Sequence, residues 1–170
     1  MWRELASFIS SVALNSNEEA IMNDHWFALL SGSFAFTPAI CGAFCFEAAG
    51  KYYDVDPHLL FAIAKVESSL DANAINENRN AHGHIISKDY GLMQINSQWF
   101  PKLAAFGVNG KNVLDPCFNV HLGTWVLSEN FASHGYNWNS VGAYNAGFSS
   151  NSQAARTRYI QKVKAVYYGR

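Results

Sequence analysis

Asp56–Leu70 reads DPHLLFAIAKVESSL, and this stretch predicts the helix around which the fold is built. Asp followed by Pro is a typical helix start, because the Asp side chain caps free backbone amides and Pro already has a helical backbone angle. At helical spacing Glu67 lies beside Ile63 and just before Leu70, on or next to an apolar stripe. The stretch therefore predicts a helix with an ionisable group near its apolar face.

Glu67 is a candidate catalytic acid on this ground. Partial burial disfavours the charged form of a carboxyl group and raises its pKa. A carboxylic acid that is still protonated near neutral pH can act as a general acid. The alternative is an exposed Glu at a helix end, which is the usual situation of charged residues. The other motifs of the sequence distinguish a catalytic acid from an exposed glutamate at a helix end.

The composition predicts one globular domain preceded by a leader. Of the 170 residues, 49% are hydrophobic and 15% are charged, and the formal net charge is −1. Because the chain has no excess of positive charge to attract phosphate groups, nucleic acid is not expected as a partner. An apolar run over residues 26–46 ends in small residues that suit cleavage of a secretory signal after Ala43. Residues 1–43 are therefore predicted to be the leader, with Met22 as an alternative start, and residues 44–170 the domain.

A membrane-spanning helix is the competing interpretation of the apolar run. Its interior contains Ser, Gly, Thr and Pro residues, which make a poor span. We therefore expect an exported chain with no stable membrane span after processing. Cys41 would leave with the leader, and the even pair Cys45 and Cys117 then indicates a disulfide worth about 2–4 kcal/mol. Two buried thiols are the alternative.

The mature domain is predicted to be α+β and mostly α, as a single domain. An Asn-rich stretch over residues 71–88 predicts a loop or a small β-hairpin. Helices are predicted over residues 46–53, 57–70, 97–106, 117–134, 140–145 and 151–168.

Three motifs follow one another in this domain. Glu67-Ser68 ends the second helix, residues 89–96 read DYGLMQIN, and residues 143–147 read AYNAG. In these motifs and their order the chain resembles the lytic transglycosylases of the lysozyme-like superfamily. The resemblance extends from about Cys45 to Tyr168, and it implies a lysozyme-like domain with a small β-hairpin beside the active-site cleft.

Among such enzymes, the chain looks most like the small exported ones that accompany type III secretion, type IV secretion, conjugation and pilus systems. The resemblance implies a periplasmic enzyme that opens the cell wall locally. Its expected partners are the glycan strands of peptidoglycan and components of such a machine. No cofactor is expected. His82 and His84 lack a matched set of metal ligands, so a solvated loop is predicted there.

The resemblance also implies a reaction. Glu67 would protonate the β-1,4 glycosidic oxygen between N-acetylmuramic acid and N-acetylglucosamine, and the ionised Glu67 would then accept the proton of the C6 hydroxyl. The product would be a 1,6-anhydro end, and the acetamido group of the substrate would replace a second carboxylate. Tyr144 is implied to orient Glu67 by a hydrogen bond. The other implied site residues are Gln94 and Asn145 as sugar-binding amides, Ser68 near Glu67, Gly91 for close backbone approach, Met93 as an apolar wall and Tyr159 in the groove.

Asp89 departs from the commonest family pattern. The stretch from Asp89 to Trp99 also resembles animal-type lysozymes, in which the Asp at this position is the second carboxylate of a hydrolytic mechanism. If Asp89 points into the cleft, hydrolysis by two carboxylates is open to the enzyme; if it points away, it is a turn residue. A muramidase and a catalytically silent glycan-binding scaffold therefore remain as alternatives.

Overall fold

The structure is a computed structural model and describes residues 45–169. The predicted leader, with Cys41 and Met22, lies outside the described residues. In chain order the elements are α1 (Phe46–Tyr53), α2 (Pro57–Ser68), β1 (Ile75–Arg79), β2 (Ile85–Tyr90), β3 (Ile95–Asn96), α3 (Phe100–Leu103), α4 (Pro116–His134), α5 (Trp138–Ala146) and α6 (Gln153–Tyr167). Helices thus dominate over one small antiparallel sheet with the strand order β1-β2-β3, and the predicted fold class is confirmed.

Helix α2 begins as its sequence predicts. The Asp56 side chain accepts a hydrogen bond of 2.8 Å from the His58 amide, and Pro57 is the first helical residue. The helix ends at Ser68, earlier than predicted, because Ser69 and Leu70 both adopt left-handed backbone angles. Glu67 therefore lies in the last turn, at the edge of the apolar face.

The sheet occupies the Asn-rich stretch that was predicted as a loop or hairpin. Asp89 in β2 is paired with Asn76 in β1 and with Asn96 in β3. The turn between β1 and β2 contains the exposed His82 and His84. Side chains alternate between the two faces of a strand, so the sheet presents one row of polar side chains to a single face.

Helix α4 forms the centre of the core. Ten of its residues are buried, on all sides of the helix, which is the pattern of a helix enclosed by other elements. The predicted disulfide is present and joins Cys45 to Cys117 in the first turn of α4, with a Cα–Cα distance of 5.2 Å. Among the described residues, no helix has the length and the apolar run that a membrane span requires.

The predicted helical segment over residues 97–106 is present, but it is not one regular α-helix. The structure has a 3-10 turn over Ser97–Trp99, the four-residue α3, and a second 3-10 turn over Ala104–Phe106. Pro101 near the start of α3 has no amide hydrogen, so a regular helix cannot extend through it from the preceding turn.

Candidate active site

A cleft of about 390 Å³ brings the three motifs together. Glu67 reaches it from the end of α2, Asp89 and Gln94 from the sheet side, and Tyr144 and Asn145 from the end of α5. The cleft is also lined by Asn78, Ile86, Ser87, Ile95, Asn96, Gln98, Trp99 and Val126. Residues that are far apart in the chain thus converge on Glu67.

Glu67 is partly buried, and its pKa is raised from the ordinary value of 4.5 to about 7. The largest cause is the loss of solvation, and the negative charge of Asp89 raises the pKa further. A hydrogen bond from Tyr159 and the positive charge of Lys162 act in the opposite direction. Since this pKa lies near neutral pH, the acid and the carboxylate forms of Glu67 are both well populated there.

The hydroxyl that holds Glu67 belongs to Tyr159, not to Tyr144 as predicted. Tyr159 is buried in α6, and its Oη donates to Glu67 Oε1 over 2.6 Å. The Tyr144 hydroxyl donates instead to the Met93 carbonyl over 2.7 Å. Both residues are tyrosines of helices that approach the cleft, and only the crossing of α6 over α2 decides which hydroxyl reaches the carboxylate.

Tyr144 nevertheless belongs to the electrostatic surroundings of the site. Burial raises the pKa of its hydroxyl well above 10, and the negative charges of Glu67 and Asp89 act in the same direction. Tyr144 therefore stays protonated and keeps donating to the Met93 carbonyl. This contact fixes the loop that follows β2 against α5.

The loop of residues 91–94 is anchored from below by Asn119 of α4. The Asn119 side chain accepts from the Met93 amide over 2.7 Å and donates to the Tyr90 carbonyl over 2.8 Å. Gly91 has a left-handed φ of 73°, and a Cβ at this position would lie 2.5 Å from Asn119 Nδ2. The glycine thus makes room for Asn119, whereas the predicted role was a close approach of the backbone to sugar.

Met93 does not form the predicted wall of the cleft. Its side chain is fully buried and packs against Gly123 of α4, where a Cβ would lie 2.6 Å from Met93 Cβ. Ser68 connects α2 to the same loop, because its hydroxyl donates to the Leu92 carbonyl over 2.9 Å. Both residues position the loop beside Glu67.

Gln94 lines the cleft with an amide that has several protein partners. Its Nε2 donates to the Gly91 carbonyl over 2.8 Å, and its Oε1 accepts from Asn76 Nδ2 over 2.8 Å. Asn145 is exposed at the rim of the cleft. The structure thus places both predicted sugar-binding amides at the cleft, with Gln94 the more rigidly held.

Asp89 lies in the cleft, held by two amides of the neighbouring strands. Its Oδ2 accepts from Asn78 Nδ2 and its Oδ1 accepts from Asn96 Nδ2, both over 2.7 Å. Each amide also donates to the hydroxyl of Ser87 over 3.1 Å. The carboxylate is therefore part of a polar network on the sheet, in the same cleft as Glu67.

Several residues of this arrangement had no role in the sequence prediction. Asn78, Ser87 and Asn96 form one polar row on the sheet. Once the strand register is known, the alternation of side chains along each strand places all three on the same face. Asn119 stands in the apolar run of α4, and a buried polar residue there indicates a partner that needs it. Lys162 gives no signal in the sequence beyond a position on the last helix.

A mostly helical domain with a partly buried glutamate between a small sheet and the helices has a lysozyme-like architecture. In a solved structure, lytic transglycosylase Slt of Pseudomonas aeruginosa in an inactive mutant form, a similar fold is found with a TM-score of 0.54 and 20% identity. The similarity covers 76% of this chain, which spans about a quarter of the length of that protein (24%).

Residues 44–166 match the family model of the transglycosylase SLT domain. The chain therefore belongs to this family, and its predicted identity as a peptidoglycan lytic transglycosylase is confirmed at that level. A peptidoglycan-binding-like protein of Escherichia coli is 41% identical, over 72% of this chain and 75% of that protein. Invasion protein IagB of Salmonella typhimurium is also 41% identical, over 70% and 72%. The X polypeptide of Escherichia coli is 38% identical over 83% of both chains.

Proposed function

We propose that this enzyme cleaves the β-1,4 bond between N-acetylmuramic acid and N-acetylglucosamine with Glu67 as the sole acid and base, and leaves a 1,6-anhydro end. One observation carries the proposal: Glu67 stands in the cleft with a pKa of about 7. A group that first donates and then accepts a proton at the same pH needs a pKa close to that pH.

Glu67 alone makes both proton transfers of the proposed reaction. The protonated carboxyl donates to the glycosidic oxygen, the bond from this oxygen to C1 breaks, and N-acetylglucosamine leaves with a free C4 hydroxyl. The acetamido group of the muramic acid stabilises the positive charge at C1. The C6 oxygen then attacks C1 while its proton passes to the ionised Glu67. No water is consumed, and Glu67 ends protonated as it began.

Tyr159 determines which oxygen of Glu67 takes part. Because its hydroxyl donates to Oε1, the other oxygen, Oε2, is left to carry the proton toward the substrate. The same hydrogen bond stabilises the carboxylate that forms after the first step. Tyr159 is thus a positioning residue in this mechanism.

A muramidase of lysozyme type is the second candidate, and Asp89 is the observation in its favour. Its carboxylate lies in the cleft and raises the pKa of Glu67. In that mechanism Asp89 would stabilise or attack C1, and water would complete the hydrolysis. The two mechanisms predict different ends on the cleaved strands.

Mass spectrometry of digested peptidoglycan distinguishes them. The proposed mechanism yields anhydro-muramyl ends from the wild type and from Asp89→Asn, and no product from Glu67→Gln. Reducing ends, lost in Asp89→Asn, would establish the muramidase instead. A wild-type protein that binds glycan strands but leaves them intact would support the silent scaffold.

The cellular role is proposed to be local opening of the cell wall for an envelope-spanning secretion, conjugation or pilus machine. Similarity to a protein named as an invasion protein supports this, and action on peptidoglycan requires a location outside the cytoplasm. We propose export to the periplasm with cleavage after Ala43. N-terminal sequencing of the exported protein should begin near Phe44, and a product that retains Met1 or Met22 would contradict this processing.

A further inference from the structure

A second, smaller cavity adjoins Glu67 on its helical side. It has a volume of about 190 Å³ and meets the main cleft at Glu67 and Asn145. Its other walls include Val66 of α2 and, from α6, Arg158, Tyr159 and Lys162. Glu67 and Asn145 therefore lie between two different surfaces, the sheet on one side and α6 on the other.

The two cavities differ in charge. The lining of the main cleft contains Asp89 in addition to Glu67 and has neither Lys nor Arg. The smaller cavity has two cations, Arg158 and Lys162, which lie one helical turn apart and are both exposed. Lys162 is near enough to lower the pKa of Glu67, so its charge acts on the catalytic carboxyl.

Neither cation is committed to an internal ion pair in the part of the chain that the structure describes. The ion pairs among residues 45–169 join Arg79 and Lys88 to Glu77 on the hairpin. Two exposed cations beside Glu67, neither of them in an ion pair with another described residue, form a site that favours an anion from the ligand.

We propose that Arg158 and Lys162 bind a carboxylate carried by the C3 substituent of the muramic acid residue that is cleaved. This specificity rests on the proposed function, because it requires peptidoglycan in the cleft. The muramic acid bears a lactyl ether at C3, which ends in a carboxylate when bare and continues into a peptide with free carboxylates when substituted. N-acetylglucosamine has no such group, so the two cations would select strands that contain muramic acid.

Binding measurements in a Glu67→Gln background test this without cleavage. Three soluble ligands are compared by calorimetry: muramyl strands with their peptides, the same strands after the peptides are removed, and N-acetylglucosamine oligomers of equal length. An exposed charge pair contributes a factor of about two to five in affinity. Arg158→Gln/Lys162→Gln should therefore weaken binding of a carboxylate-bearing ligand about tenfold and leave the oligomers unchanged.

The comparison of ligands also identifies the source of the carboxylate. A loss confined to peptide-bearing strands assigns it to the peptide, and an equal loss on both muramyl ligands assigns it to the lactyl group. In either case the loss should shrink at 0.5 M salt, because exposed charge pairs are screened (Debye length about 3–10 Å above 0.1 M). Lys51→Gln/Lys111→Gln removes the same charge from exposed lysines outside both cavities and should leave all affinities unchanged.

Two results would overturn the proposal. One is unchanged affinity for both muramyl ligands in the double variant, and the other is an equal loss on the carboxylate-free oligomers. Failure of the proposed function is seen separately, since it is the absence of anhydro product from wild-type protein. If anhydro product is absent, the binding comparison still tests whether Arg158 and Lys162 bind the carboxylate.

Discussion

Glu67→Gln should make the protein more stable at alkaline pH while it abolishes cleavage. Gln has nearly the shape of Glu and keeps an oxygen for the Tyr159 hydroxyl, but it does not ionise. Because the pKa of Glu67 is raised in the folded state, ionisation of this group costs more free energy in the folded protein than in the unfolded chain. The wild type therefore loses stability as Glu67 ionises, and the variant does not.

The size and pH range of the effect follow from the pKa values. The ordinary value is 4.5 and the folded value is about 7, a difference that corresponds to about 3 kcal/mol. Below pH 4.5 the group is protonated in both states, so wild type and variant should have similar stability. Between pH 4.5 and about 7 the unfolded state releases its proton first, and the wild type becomes progressively less stable than the variant. Above that range the gap stays constant.

Urea unfolding at pH 4 and pH 8, with the disulfide intact, measures this difference. The variant should gain up to about 3 kcal/mol over the wild type at pH 8 and little at pH 4. Glu47→Gln, at an exposed position of α1, controls for the loss of one negative charge. A gain at pH 8 no larger than that at pH 4, or one that the control variant shares, would refute burial as the cause of the raised pKa.

Three further predictions concern the neighbours of Glu67. Lys162→Gln should raise the pKa of Glu67, because the lysine charge lowers it, and the alkaline limb of kcat/KM should move to higher pH. Tyr159→Phe should move this limb in the same direction. It should also lower kcat roughly ten- to a hundredfold, because Glu67 loses the hydrogen bond that positions it. An unchanged kcat would argue against a positioning role for Tyr159. Tyr144→Phe removes the hydroxyl that donates to the Met93 carbonyl, so it should lower the free energy of unfolding by about 1–3 kcal/mol, as measured in urea. The alkaline limb of its kcat/KM profile should be much less displaced than that of Tyr159→Phe.

Local sequence signals predicted the helical part of the fold well. The Asp-Pro start of α2 and its apolar spacing located the helix to within two residues and put Glu67 at the edge of its apolar face. The same reasoning placed Phe46–Tyr53. These signals work because capping, Pro geometry and side-chain periodicity act within a few residues of chain.

The contacts of the Glu67 carboxyl depend on tertiary geometry that the sequence does not reveal. Tyr159 lies 92 positions from Glu67, and its hydroxyl reaches the carboxylate only because α6 packs on α2. The network around Asp89 likewise required the strand register, which sets Asn96 directly opposite Asp89. The residue types in the motifs were recognisable, but their hydrogen-bond partners were not.

In the proposed mechanism, opposed charges on the two sides of Glu67 would let one carboxyl serve as acid and as base. Asp89 on the sheet raises the pKa of Glu67, and Lys162 on α6 lowers it. Asp89 is fixed by Asn78 and Asn96, so its charge cannot swing away from the cleft. A stationary negative charge that favours the protonated acid is useful before the glycosidic bond breaks, whereas the Tyr159 bond and the lysine favour the carboxylate formed afterwards. In the proposed one-carboxylate mechanism Asp89 would thus act through its charge alone, so its presence in the cleft does not require it to act as a nucleophile.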